Sequence, residues 1–424
     1  MDSVVLRLDG GNGTFAYHLS GLYRDWNDVE IPGRSVRETD HEDEEQHEDE
    51  GHDEEPAGAR GYIPNSGGDT GTLNVGGSYH FDSGFVGLAV NRLENEYGIP
   101  SGAHSHGGQE EEHEEEEHEE GEHEEGEHDE EGDVSIDMEQ TRWDAALHLH
   151  EPFAGADVFR GFLTYTDYEH AELEGSGEVG TEYNNETWET RLELLHQEFG
   201  GFHGVIGLQA ITGEFSALGE ESFIPETDST EVGLFLVEDY HAGDWTFELG
   251  ARFDRDERDP DTASAGKETF SSFSASGSAL WQVTEEWGLG AALSRSERAP
   301  TIEELYSNVE AESPDELVVH AATNAIEVGD SDLDTEVSNN LDLSLNWQRG
   351  LHFVEITVFY NDFSDYINLF NTGVEVEEVP VLTYTQGDAE FWGVEVDSEF
   401  ALGSAGGGEF RLGLFGDYIR GELD

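Results

Sequence analysis

Six histidines, His104, His106, His113, His118, His123 and His128, stand in a nearly unbroken field of glutamate between residues 101 and 133. Three more, His41, His47 and His52, sit among aspartate and glutamate in residues 38–55. Neutral imidazole and carboxylate oxygen are both good donors to Zn²⁺ and its divalent neighbours. Adaptation to a salty habitat explains surplus glutamate, but not a histidine every five residues from His113 to His128. Like-charge repulsion is expected to keep both runs extended and disordered. Each site on them is then weak and poorly selective, while many weak sites on one tether raise the local metal concentration. Histidines standing alone, His148, His150, His170, His196 and His203, are each more readily a hydrogen-bonded side chain than a ligand.

The rest of the inventory narrows the chemistry. There is no cysteine, which excludes disulfides and thiolate metal sites. Lys+Arg is 18 against 99 Asp+Glu, a formal charge of -81, and Lys267 is the sole lysine. Phosphate binding needs a basic surface, so a nucleic-acid partner is excluded and cations are favoured. No Gly-x-Ser-x-Gly elbow, P-loop or His-Glu-x-x-His is present, and no enzymatic activity is expected.

The elements that must position these residues follow a period of two. Trp245, Phe247, Leu249, Ala251 and Phe253 alternate with Thr246, Glu248, Gly250, Arg252 and Asp254. Leu341, Leu343, Leu345 and Trp347 alternate with Asp342, Ser344 and Asn346. Successive strand side chains point to opposite faces, so one face is apolar and aromatic and the other charged. Lipid on one side and a wet lumen on the other produce that pattern. No run of about 18 apolar residues offers a transmembrane helix, and no signal peptide precedes Val4. A helical stretch is expected only at Pro300–Ser307, opened by its proline.

The connections alternate in length. Short ones are expected at 9–13, 82–84, 151–155, 200–201, 241–244, 284–286 and 349–350. Long ones are expected near 25–69, 93–133, 171–184, 215–228, 255–267, 297–334 and 365–382. This predicts an all-β, transmembrane, antiparallel up-and-down barrel of about sixteen strands, with tight turns on one rim and long loops on the other. A propeller would need a recurring motif every 40–50 residues or so, and none is present. A barrel must close. The abrupt start, and a last strand at 409–420 with no closing strand after it, read as a fragment comprising residues 1–424 of a partial barrel.

Several stretches resemble the TonB-dependent outer-membrane receptors. They are Ser296-Glu297-Arg298-Ala299-Pro300-Thr301-Ile302-Glu303-Glu304-Leu305-Tyr306, then Glu336-Val337-Ser338-Asn339-Asn340, Phe359 to Ile367, and Ala389 to Glu395. A narrower resemblance is to the zinc-uptake branch. It lies in Asn95 to Pro100 before the His/Glu loop, in Gln140 to Asp144, in Tyr168-Glu169-His170-Ala171-Glu172, and in His320-Ala321-Ala322-Thr323-Asn324 before Ile326 to Gly329. The resemblance implies a barrel of about 22 strands around an N-terminal plug in the outer membrane of a Gram-negative bacterium. It also implies import driven by an inner-membrane TonB energy-coupling complex acting through the plug. The plug, the energy-coupling box and the last strands are not among these residues.

Zn²⁺ is then the expected cargo. His320 is the leading candidate for a tight site, with His170 and Glu172 beside it, because a selective site needs about four donors at fixed positions. Two other readings remain on the same residues. One is a receptor for a siderophore, haem or other metal chelate, which would call for an aromatic or basic lumen, where arginine is expected to be scarce. The other is a passive porin or adhesion barrel with acidic surface loops.

Overall fold

The computed structural model describes residues 1–35, 59–100, 134–173, 177, 179–219, 222–320, 323, 325–376, 379–406 and 408–423. The nine loop histidines at 41–52 and 104–128 lie outside the described residues.

The chain begins with β1 (Asp2–Gly11), β2 (Phe15–Trp26), and a small hairpin of β3 (Val29–Arg34) and β4 (Arg60–Ile63). Then follow β5 (Gly68–Phe81), β6 (Gly84–Gly98), β7 (Ser135–His150), β8 (Ala156–Leu173) and β9 (Val179–His196). The middle of the chain is β10 (Phe202–Gly219), β11 (Thr227–Ala242), β12 (Trp245–Pro260), β13 (Glu268–Gln282) and β14 (Trp287–Arg298). After the helix α1 (Ile302–Tyr306) come β15 (Ile326–Val328), β16 (Glu336–Arg349), β17 (His352–Val376), β18 (Val379–Ala405) and β19 (Gly408–Leu423). One 17-stranded sheet holds all but β3 and β4. Setting aside the three-residue β15, which lies parallel to β18, sixteen strands meander with each antiparallel to the next in the chain. That is the number and connectivity the alternation predicts.

Register shows why the alternation works. Leu343 stands opposite Ala291 and Val358, and Leu341 opposite Leu293 and Tyr360, so apolar positions line up across strands. These residues are not packed against protein: Leu249 is 54% exposed, Leu293 63% and Leu343 49%. An apolar face this wide and this bare is a lipid face. Aromatic rings mark its edges. Trp245 stacks on Trp281 at 5.3 Å and Trp287 lies 6.2 Å from Trp347 at the short-turn end, while Tyr165 meets Trp188 at 4.8 Å farther along.

All seven short connections are turns of a few residues. The long ones differ from expectation, because the strands run on into them. β17 and β18 meet across 376–379, so residues 365–382, expected as a loop, form a long hairpin instead. β8 also continues past its aromatic Tyr165 to Leu173. Beyond the lipid the outward positions are no longer apolar, as Glu94, Glu139, Asp167 and Glu169 show, so the hydrophobic period fades while the backbone ladder continues.

The buried hydrophobic cluster lies at the long-loop ends of the strands, beyond their lipid-facing stretch. The described residues of 299–334 fold over the strand ends as a cap, and Leu305, Tyr306 and Leu333 pack there with Phe270 and Ile367. Thr301 caps α1: its hydroxyl accepts from the Glu304 N–H, and the Glu304 carboxylate accepts from the Thr301 N–H at 2.8 Å. Arg298 donates to Glu304 at 2.8 Å and to Glu336 at 3.2 Å, joining the helix to the start of β16. Burial pushes the Tyr306 hydroxyl up to about 12, so the side chain stays neutral.

The cap tolerates no added atom at Gly329. A Cβ there would stand 2.7 Å from the Leu305 carbonyl carbon and from the Tyr306 nitrogen, which are backbone atoms. Gly329→Ala is expected to loosen the cap, with protease cutting appearing within 299–334 and the barrel strands unaffected. Unchanged cutting would show that the cap has slack at this point.

Candidate metal-ligating site

His320 is placed by the cap. Its N–H donates to the Ala325 carbonyl at 2.9 Å, closing a tight turn. Asn308 locks the segment behind it, donating to the Val318 and Glu327 carbonyls at 3.0 and 2.8 Å and accepting from the Val318 N–H at 2.8 Å. Asn308 has φ +52, a conformation asparagine reaches more easily than most residues. The imidazole packs on Phe223, with ring centroids 4.8 Å apart, and its Nδ1 lies 3.1 Å from Glu327 Oε1.

Glu327 is a buried carboxylate with three donors. Thr323 donates to Oε1 at 2.9 Å and the Tyr384 hydroxyl to Oε2 at 3.3 Å, in addition to His320. Tyr384 is held beside it because β15 pairs with β18, with Val328 opposite Thr383. Burial raises the Glu327 carboxyl, but the hydrogen bonds from His320, Thr323 and Tyr384 outweigh it, and the group lies below its ordinary 4.5. Burial and the nearby Glu327 charge push the Tyr384 hydroxyl well up, so it remains a donor.

The geometry has a chemical consequence. With Nδ1–H given to a carboxylate, the His320 lone pair sits on Nε2, the nitrogen free to bind a metal. A carboxylate behind a histidine fixes the ring's tautomer and orientation and raises its basicity, which is the usual support for a metal-bound imidazole. Sequence reasoning named His320 but missed Glu327 as its partner. Seven residues separate the two, a spacing with no meaning in strand or helix, and only the turn at 320–325 brings them together.

A pH dependence follows. A carboxyl depressed on folding contributes stability that is fully present above its unfolded pKa and is lost as pH falls through its folded one. Protection of backbone amides around 318–329 against hydrogen exchange is therefore expected to hold at neutral pH and to fall as pH drops below about 4.5. Glu327→Gln should flatten that fall. The same curve in both proteins would exclude Glu327 as its cause.

His170 and Glu172 project together from β8, two residues apart. His170 stacks on Tyr183 at 4.5 Å and meets Tyr168 at 5.5 Å, and its Nδ1 is buried with no hydrogen-bond partner among the described residues. Glu172 is 6% exposed and stands opposite Thr181. Among the described residues no three His, Asp or Glu side chains are gathered as a finished metal cage, so His320, His170 and Glu172 do not form one as they stand.

Arginine is less scarce on the inner face than the sequence suggested. Arg191 and Arg252, both on the face opposite the lipid, flank Phe235 with guanidinium carbons 4.4 and 5.8 Å from its centroid. Gly207 makes room, since a Cβ there would strike the Phe235 ring. Arg191 pairs with Glu193 at 2.8 Å and Arg252 with Asp254 at 2.6 Å, so neither charge is bare.

Fold and face together define an outer-membrane-type barrel carrying an ordered cap at its long-loop end. Residues 8–422 match the family described as TonB dependent receptor-like, beta-barrel, and the chain belongs to that family. Solved structures share the fold. The copper transporter OprC superposes with a TM-score of 0.73 at 13% identity over 99% of this chain and 59% of that one. The FrpB iron transporter from Neisseria meningitidis (F3-3 variant) gives 0.67 at 14% identity, over 99% of this chain and 60% of its own. A double mutant of the Serratia marcescens hemophore receptor HasR, in complex with its hemophore HasA and heme, gives 0.61 at 14% identity, over 99% and 68%. The chain thus spans about three-fifths of the length of the first two.

Proposed function

We propose that this chain is the barrel portion of a receptor in the outer membrane of a Gram-negative bacterium that imports metal ions, with Zn²⁺ as the cargo. The observation that carries the reading is the His320–Glu327 pair, an imidazole presented on an ordered cap with a buried carboxylate behind it. Imidazole and carboxylate suit Zn²⁺, and the chain has no thiolate to favour softer ions. His41, His47, His52 and the six histidines of 104–128 collect the ion outside. His320 binds it through Nε2, with His170 and Glu172 as further donors from β8 and the remaining positions filled by a plug domain. The TonB complex, acting through that plug, releases the ion inward. No catalytic step is required.

A second reading, a receptor for a planar metal chelate, has one observation in its favour: the Arg191–Phe235–Arg252 stack offers a flat, cationic surface on the lumen wall. Both guanidiniums already have carboxylate partners, which weakens it as an anion site.

The test is zinc uptake by cells expressing the full-length receptor. His320→Ala should raise the zinc concentration needed for half-maximal uptake at least tenfold, and Glu327→Gln should raise it too, since loss of such a supporting carboxylate typically weakens metal binding about 10–100-fold. Uptake at limiting zinc equal to the parent's in both variants would remove His320 from the site.

A further inference from the structure

At the opposite, short-turn end of the lumen wall, two histidines and an aspartate face inward from adjacent strands. The faces are fixed by register. Phe202 and Tyr240 stack at 5.0 Å on the lipid side of β10 and β11, so His203, Asp239 and His241, one residue out of phase, turn to the lumen. His203 stands directly opposite Asp239, which stands opposite Glu248 on β12. Asp239 Oδ2 lies 3.2 Å from His241 Nε2 and 3.8 Å from His203 Nδ1, and Glu198 Oε2 lies 3.6 Å from His203 Nε2.

The two His203 distances are too long for good hydrogen bonds, and the side chains are exposed, so simple ion pairing would contribute little. A metal-bound geometry lies near these spacings. Donors about 2.0–2.1 Å from a tetrahedral Zn²⁺ stand about 3.3–3.5 Å from one another, and the two spacings around Asp239 bracket that edge. His241 also has the supporting bond such a ligand needs. Its Nδ1 lies 3.0 Å from the Thr246 hydroxyl, and a bond there leaves Nε2 as the donor nitrogen aimed at Asp239. The donors are not closed on one point as they stand. The three side chains are 39–63% exposed and so have room to turn toward a shared ion.

We propose that His203, Asp239 and His241 form a second divalent-metal site, at the short-turn rim, taking Zn²⁺ or an ion of similar ligand preference with water or Glu248 as the fourth donor. The proposal rests on these residues alone; the metal-receptor reading enters only to say that an ion crossing the lumen leaves past them. Three exposed donors make the site weaker than a closed one, as a release point requires.

The loop histidines would mask this site in a bulk titration, so the readout must be residue by residue. The purified full-length receptor, folded in detergent micelles, is treated with diethyl pyrocarbonate over a Zn²⁺ titration, and modification of each histidine is mapped by mass spectrometry. His203 and His241 are expected to become protected together, at one Zn²⁺ midpoint, with no protection by Mg²⁺. Asp239→Asn should raise that shared midpoint at least tenfold, in protein whose heat-modifiable gel mobility shows a folded barrel. Modification of His203 and His241 unaffected by Zn²⁺, protection at separate midpoints, or a midpoint indifferent to Asp239→Asn would each overturn the proposal. Protection of His320 is read in the same experiment and stands or falls separately.

Discussion

Tyr306→Ala is expected to unfold the cap and leave the barrel standing. Tyr306 and Leu305 are fully buried, and among the described residues the other buried members of their cluster are Phe270, Leu333 and Ile367. Truncating a buried aromatic costs about 3–5 kcal/mol, which is a large share of what so small a core supplies. The sheet does not share the loss, because its strands are held by their own ladders of backbone hydrogen bonds. The Tyr306 hydroxyl also reaches the Gly266 carbonyl at 3.4 Å, so the connection between β12 and β13 loosens with it. Protease should then cut within 299–334 at low concentration while heat-modifiable mobility of the barrel on gels persists. Zinc uptake by the full-length receptor should fall at least as far as in His320→Ala, because the cap is what positions His320 and Glu327. A cap that stays resistant would mean that the capping box and the Arg298 bridge hold it without the aromatic core.

Leu343→Arg should be the most damaging single change on the sheet. Leu343 lies on the apolar face between Ala291 and Val358, away from the aromatic rows, and an arginine near the middle of the bilayer costs about 2–4 kcal/mol in a barrel. Ser344→Arg, one residue on and facing the lumen, should cost less than about 1 kcal/mol, since water solvates the new charge. Denaturant unfolding in lipid vesicles compares the two. Equal losses, or a larger loss at Ser344, would mean that the faces are assigned the wrong way round.

The transmembrane strands were legible because lipid imposes a rule on every second residue. Trp245 to Phe253 and Leu341 to Trp347 follow it without a break, and the sixteen-strand meander came from counting such runs and the tight turns between them. Outside the lipid the rule lapses, and the legibility lapses with it. β17 and β18 run far past the expected loop at 365–382, because backbone pairing needs no hydrophobic period. The five-residue α1 was readable from Pro300 and Thr301, which start it, with its far end marked less clearly. At the site, His320 was legible only through resemblance. Glu327, Tyr384 and Phe223 were not, because they come from three separate segments and the cap alone assembles them. The His203–Asp239–His241 group was hidden for the same reason: each residue alone is an ordinary inward-facing polar side chain.

The proposed cargo is a bare divalent metal ion, zinc above others. Energy-dependent accumulation of radioactive zinc can be followed in cells whose zinc receptor is the full-length form of this protein, beside uptake of haem and of a ferric siderophore. Zinc is expected to accumulate at limiting concentration, to stop doing so with a protonophore or on loss of the TonB complex, and to do so with no uptake of either chelate. Accumulation of haem or a ferric chelate with no zinc uptake above receptor-free cells would rule out zinc as the cargo.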